Sequence, residues 1–189
     1  MNFTKTYILA SNSPRRKELL TNLGLPFQTR VKEVDENFPP DLVRAEVAEY
    51  LAAHKASAYR QDLQPEEVLI TADTIVCLDE KVLNKPLSHA EATRMLTHLS
   101  GRSHEVYTGV CLMSLEKSVV FSDVTTVHFR DLTRDEIDFY INQYTPFDKA
   151  GSYGAQDWLG MVGIERIEGS YFNVMGLPVH RLYEELQTF

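Results

Sequence analysis

Long apolar runs, cysteine clusters and surplus positive charge are all missing from this 189-residue chain. No uninterrupted apolar stretch approaches the ~18 residues needed to cross a bilayer, so no membrane partner is expected. Only four apolar residues, Tyr7 to Ala10, follow Lys5. That is too short for a secretory signal, and a cytoplasmic protein is expected. The two cysteines, Cys77 and Cys111, sit singly in apolar, β-branched stretches. They read as core thiols and allow neither a disulfide framework nor thiolate metal spacing. The six histidines show no HxxxH or HExxH pattern, which gives a histidine-bound metal little support. Neither GxxxxGK[ST] nor GxGxxG occurs, which argues against a P-loop kinase or phosphotransferase. With 19 basic against 27 acidic residues the formal net charge is −8, and nucleic acid is excluded as a bulk partner. Repeats, low-complexity tracts and Gly/Ser linkers are also absent. The remaining composition, 43% hydrophobic and 24% charged, is that of a folded globular chain. A single domain over residues 1–189 is expected, or one core split into two lobes.

Against that acidic background one basic cluster stands out: Ser11-Asn12-Ser13-Pro14-Arg15-Arg16-Lys17. It follows the strand-like run Tyr7–Ala10 and opens a helical run carrying Leu19, Leu20 and Leu23. Ser13 suits the N-cap, Pro14 the first helical position and Gly24 the stop. Cations in a first helical turn oppose the helix dipole by ~0.3–1 kcal/mol each. Three of them make sense if a phosphate lies among backbone N–H groups, seryl hydroxyls and guanidinium forks. The alternative is a capped surface helix with solvated charges.

Further along, a helix is expected over about Asp41–Tyr59, with Val43, Val47 and Leu51 at four-residue steps. Val68–Leu78 reads as a buried strand, with Val82–Lys85 returning as its hairpin partner up to Pro86. Ser88 with Glu91, and Thr133 with Glu136, are capping-box signals for helices ending near Gly101 and Asn142. Glu105–Met113 and Val119–Phe129 read as strands, and the glycine-rich stretch Gly151–Gly163 as loop. An extended piece near Ile164–Ile167 and a helix after Pro178 complete the chain. Short turns between neighbouring strands demand antiparallel pairing. The fold class is therefore α/β with a mixed central sheet flanked by helices.

Polar residues in apolar places mark candidate chemistry. Asp73 interrupts a β-branched strand, where a carboxylate must be paired, hydrogen-bonded or metal-bound. It reads either as a catalytic or metal-binding group, or as a structural Asp satisfied by backbone donors or a nearby lysine, or one facing water at a sheet edge. Lys55 continues the Val43, Val47, Leu51 stripe and either snorkels to solvent or reaches a phosphate or carboxylate in a cleft. Lys85 is held extended by the following Pro86. Gln156, in the loop after Asp148-Lys149-Ala150-Gly151, carries an amide suited to a nucleobase edge. Asp73 and Glu36 offer oxygen ligands to a divalent cation.

Taken together, Leu9–Leu20, Ala72-Asp73-Thr74-Ile75-Val76, Asn84-Lys85-Pro86, Leu99-Ser100-Gly101-Arg102, Tyr107-Thr108-Gly109, Asp148-Lys149-Ala150-Gly151 and Gly176-Leu177-Pro178 resemble the successive sequence blocks of the Maf family of nucleoside triphosphate pyrophosphatases. Arg15-Arg16, Asp73-Thr74 and Tyr153-Gly154-Ala155-Gln156 are similar to the branch acting on dTTP and UTP. Asp157-Trp158 departs from the glycine and small residue common there. The resemblance implies a fold shared with the inosine triphosphatases, two lobes around a cleft, and attack of water on the α-phosphorus assisted by Mg²⁺ or Mn²⁺. It implies that Arg15, Arg16, Lys55 and Lys85 neutralise the triphosphate and that Ser11 and Ser13 donate to its oxygens. Asp73 would bind the metal or accept the proton of the attacking water, with Glu36 as a second metal-side carboxylate. Arg15, Thr74 and Gln156 would select the base. A nucleoside triphosphate is thus the expected partner, with room for a homodimer. The alternatives are a 7-methyl-GTP pyrophosphatase and a nucleotide-binding regulator of cell division with little catalysis.

Overall fold

The computed structural model of the protein describes residues 5–189. Its elements, in chain order, are β1 (Thr6–Leu9), α1 (Pro14–Asn22), β2 (Phe27–Thr29), α2 (Ala45–Ser57), β3 (Glu67–Leu78), β4 (Lys81–Leu83), α3 (His89–Leu99), β5 (Ser103–Met113), β6 (Ser118–Phe129), α4 (Arg134–Tyr144), α5 (Trp158–Gly163), β7 (Ile164–Glu168), α6 (Tyr171–Met175) and α7 (Val179–Thr188). Single 3-10 turns lie at Pro146–Asp148 and Ala150–Ser152. The strand order is β2-β1-β3-β5-β6-β7, with β4 beside β3. β1 runs parallel to β2 and β3, whereas β3–β4 and β6–β7 are antiparallel. The expected mixed α/β sheet is present. No helix among the described residues is long and apolar enough to cross a membrane.

The chain divides into two compact units, each drawn from separate stretches of sequence. The first comprises the stretch up to Thr74, Thr108–Asp123 and Gly176–Phe189; the second comprises Ile75–Tyr107 and Val124–Met175. In the first, Ile8, Leu69, Cys111 and Met113 from the strands pack with Ala52 and Ala56 of α2 and with Tyr59 and Leu63. In the second, Val76, Leu78, Val106, Val127 and Phe129 pack with Leu96 and Leu99 of α3, Ile137, Tyr140 and Ile141 of α4, and Leu159 of α5. Both cysteines are buried thiols.

Local chemistry explains most boundaries. Ser13 Oγ accepts from Arg16 N–H at 3.4 Å to cap α1. At the other end Leu25 N–H reaches Leu20 O (3.2 Å) and Gly24 N–H reaches Thr21 O (3.0 Å), with Gly24 at φ +75°. Those paired bonds form the left-handed Schellman stop, and the contact positions Leu20 and Leu25 are both buried. The two-residue turn from β3 to β4 uses Asp79 and Glu80 at φ 49° and 71°, the primed geometry that matches strand twist. α4 has the full capping box: Thr133 Oγ1 accepts from Glu136 N–H, and Glu136 Oε2 accepts from Thr133 N–H.

Four expectations need correction. α2 begins at Ala45, not near Asp41, because Arg44 at φ 50° cannot continue a helix. Val43 therefore falls outside the apolar stripe and is 52% exposed. At α3 only half a capping box forms, since Glu91 turns to Leu87 N–H (2.8 Å) instead of Ser88 N–H. α4 runs past Asn142 to Tyr144. The glycine-rich stretch is not simply loop, for it holds α5. There Leu159 is fully buried, Trp158 packs edge-to-face on Phe139, and Gly160 lets the helix backbone close against the Ala155 carbonyl. The glycine signals close approach, not flexibility.

His104 is buried in the second unit, its Nε2 2.7 Å from the Tyr153 hydroxyl and its ring edge-on to Phe129 and Tyr153. Burial, with help from His128, pushes its pKa from 6.5 down to about 3. The unfolded chain takes up a proton at the ordinary value while the folded protein does not. Stability present above 6.5 is thus lost as the pH falls toward 3. His104→Phe should flatten that decline by a few kcal/mol, read as denaturant midpoints across this range. An unchanged pH profile would place the acid-labile group elsewhere.

Candidate functional site

In the first unit the cluster that opens α1 closes around one guanidinium. Arg16 Nε donates to Gly176 O (2.8 Å), one Nη to Thr74 Oγ1 (3.0 Å) and the other to Ser11 Oγ (3.5 Å). Thr74 in turn bonds Thr108 of β5 at 2.9 Å. Ser11 Oγ also accepts from Ser13 N–H (3.2 Å). Burial lowers the Arg16 pKa, and the carboxylates of Asp73 and Glu36 pull it back up against neighbouring Arg15. It stays charged. The structure therefore gives the serine oxygens and Thr74 acceptor duties inside the protein. The Ser11 and Ser13 O–H groups can still turn outward to an anion. Arg15 and Lys17 are half-buried beside them.

A second constellation lies in the same unit. Lys55, near the end of α2, places its ammonium against Glu36 Oε1 (2.8 Å) and against Asp73 Oδ1. Gly109 of β5 lets α2 lie close to the sheet, since any Cβ there would run into the α2 backbone at Ala48. The side chains of Lys55 and Asp73 are 16% and 12% exposed, that of Glu36 44%. The Lys55 ammonium thus meets carboxylates, one of the partners its place on the apolar stripe allowed. The structural alternative for Asp73, pairing with a lysine, is equally present. Two carboxylates converging on one cation are hard oxygen donors of the kind Mg²⁺ uses, usually with one or two carboxylates plus substrate phosphates. The donor set fits a divalent ion. No cluster of three or more His, Cys, Asp or Glu occurs among the described residues, so the remaining ligands would come from phosphate and water.

Lys85 and Gln156 belong to the second unit. Lys85 is exposed beyond β4, and the preceding Asn84 carbonyl accepts from Gly151 N–H at 3.4 Å. Past that glycine, Gln156 Oε1 is buried without a hydrogen-bond partner. Next to it, Asp157 Oδ2 accepts from the Tyr140 hydroxyl (2.9 Å), with the Lys149 ammonium 3.7 Å away. Thr108, Gly176, Tyr140 and Asp157 were not picked out as site residues from sequence. Thr108, Gly176 and Tyr140 act through bonds to partners distant in the chain, and no spacing rule flags those. Asp157 was visible only as a departure.

Residues 6–189 match the Maf-like protein family. The chain belongs to the Maf family. A dTTP/UTP pyrophosphatase of Bacteroides thetaiotaomicron is 52% identical over 181 residues, covering 95% of this chain and 94% of that protein. One of Porphyromonas gingivalis is 49% identical over 185 residues, covering 96% and 93%. Among solved structures, the Ham1 protein of Staphylococcus aureus overlaps 67% of this chain and 73% of its own at 14% identity and TM-score 0.47, a partial overlap.

In this Maf protein the Arg16 fork is more than charge. Arg16→Lys keeps the cation but cannot serve Gly176 O, Thr74 and Ser11 together. It should lower unfolding free energy by ~1–3 kcal/mol, seen as a shifted urea midpoint at constant slope. Wild-type stability in that variant would show that the bonds are dispensable.

Proposed function

We propose that the protein hydrolyses nucleoside triphosphates to the monophosphate and pyrophosphate, with dTTP and UTP preferred. The observation that carries this reading is the convergence of Asp73 and Glu36 on Lys55, in the same unit as a half-buried Arg16 held by three hydrogen bonds. Positive charge and paired carboxylates are both needed for water attack on phosphorus with a departing polyanion. The dTTP/UTP pyrophosphatase names of the relatives support the choice of substrate.

Each residue then has a task. Arg15 and Arg16 offset the negative charge of the triphosphate, and the Ser11 and Ser13 hydroxyls donate to its oxygens. An arriving triphosphate offers Lys55 a new anionic partner. When the ammonium turns to phosphate, Asp73 Oδ1 is released to accept the proton of water attacking the α-phosphorus. The bond from that phosphorus to the bridging α–β oxygen breaks, and pyrophosphate leaves. A Mg²⁺ or Mn²⁺ ion, held by Asp73 and Glu36, would supply Lewis-acid neutralisation of phosphate charge. Gln156 presents an acceptor oxygen suited to the N3–H of uracil or thymine.

Incubation with a panel of nucleoside triphosphates and Mg²⁺ or Mn²⁺ should yield monophosphate and pyrophosphate, fastest with dTTP and UTP. Orthophosphate and a diphosphate would instead place attack at the γ-phosphorus. Asp73→Asn should cut turnover by ~10²–10⁴-fold with the fold retained by circular dichroism. Near-normal turnover would move the base elsewhere, with Glu36 next in line.

Lys55→Met tests the clasp itself. Removing the ammonium leaves Asp73 buried beside no lysine, so stability should fall by ~3–5 kcal/mol where a snorkelling lysine would cost little. A thermal midpoint matching wild type would mean the pair forms only weakly.

A further inference from the structure

A closed ring of hydrogen bonds surrounds the residue assigned to base reading. Gly154 N–H donates to the Tyr140 hydroxyl oxygen at 3.1 Å, and that hydroxyl donates to Asp157 Oδ2 at 2.9 Å. Asp157 N–H closes the ring on Gly154 O at 3.1 Å. Tyr140 is fully buried on α4, which anchors the ring to the core of the second unit. Lys149, its side chain 12% exposed, bridges Asp148 (2.8 Å) and Asp157 (3.7 Å). Gly154 is required here, since a Cβ would meet the Asp157 carboxylate at 2.6 Å. Inside this arc sits Gln156, whose Oε1 is buried with no partner.

We propose that Tyr140 and Asp157 are positioning residues that hold Gln156 Oε1 as a fixed acceptor and thereby set discrimination between uracil and cytosine; the proposal rests on the assignment of Gln156 to base reading. Uracil and thymine carry a hydrogen at N3, whereas cytosine carries a lone pair there. A fixed amide oxygen bonds the first two and repels the third. A loop free to rock would let the amide turn and offer its N–H₂ to cytosine N3, erasing the difference. The ring limits the backbone part of that freedom by tying both ends of the Gly154–Asp157 arc to one buried hydroxyl. Burial and the adjacent carboxylate raise the Tyr140 pKa, which keeps the hydroxyl a donor at any working pH. Asp157, the departure from the family pattern, thus has a defined task.

The test is the ratio of kcat/KM for UTP over CTP in wild type, Gln156→Ala, Tyr140→Phe, Asp157→Ala and Asp157→Asn, with thermal midpoints for each. Gln156→Ala sets the floor, a fall of about ten- to a hundredfold. Tyr140→Phe and Asp157→Ala should fall toward that floor, chiefly through a raised KM for UTP with CTP turnover retained. Asp157→Asn, whose amide oxygen still accepts from Tyr140, should preserve the ratio. Should Tyr140→Phe fail to fold, Asp157→Ala carries the comparison alone. Equal losses on UTP and CTP, or an unchanged ratio in both ring variants while Gln156→Ala loses it, would overturn the positioning role. An unchanged ratio in Gln156→Ala would instead overturn the base-reading assignment beneath it.

Discussion

A guanidinium drawn partly out of water must be given acceptors, and the first unit is arranged around meeting that demand for Arg16. Its fork reaches the turn after β1 through Ser11, the middle of the sheet through Thr74, and the approach to α7 through the Gly176 carbonyl. Thr74 hands the connection on to β5 through Thr108. Leaving the charged fork without one of these acceptors would cost more than losing a neutral bond, because a charged donor drawn partly out of water is penalised more. The offsetting attraction comes from Asp73 and Glu36. The charges that would perform chemistry are therefore the same ones that make the arginine tolerable.

Lys55, Asp73 and Glu36 follow a related logic. A half-buried ion pair contributes little net stability over a well-packed apolar substitute, since desolvation consumes most of its Coulomb gain. Its presence beside the core of the unit fits a role that apolar residues cannot fill. The lysine ammonium lies between two carboxylates and offsets the repulsion between them.

Much of this was readable along the chain. Ser13, Pro14 and Gly24 marked both ends of α1 because capping is local chemistry, settled within a few residues. Asp73 stood out because carboxylates are rare in β-branched runs, and Lys55 because helical spacing put it on the buried face. Other features left no local trace. Thr108 is an ordinary strand residue until Thr74 lies beside it, and Tyr140 an ordinary helical aromatic until Asp157 and Gly154 meet its hydroxyl. α5 was concealed by composition, because glycine signals a loose turn and a tight helix contact with the same letter.

The bond from Arg16 to Gly176 spans 160 positions, which bears on how the chain assembles. A growing polypeptide emerges in sequence order, and contacts between distant segments carry the largest loop-closure entropy. The second unit is drawn from residues 75–175, so its segments are all available before Gly176 exists. The first unit begins earlier yet finishes later, waiting with an unsatisfied arginine for the segment that carries its acceptor. During synthesis the first unit is therefore the last part of the enzyme to become native, and until then the cluster that opens α1 lacks the carbonyl that Gly176 supplies.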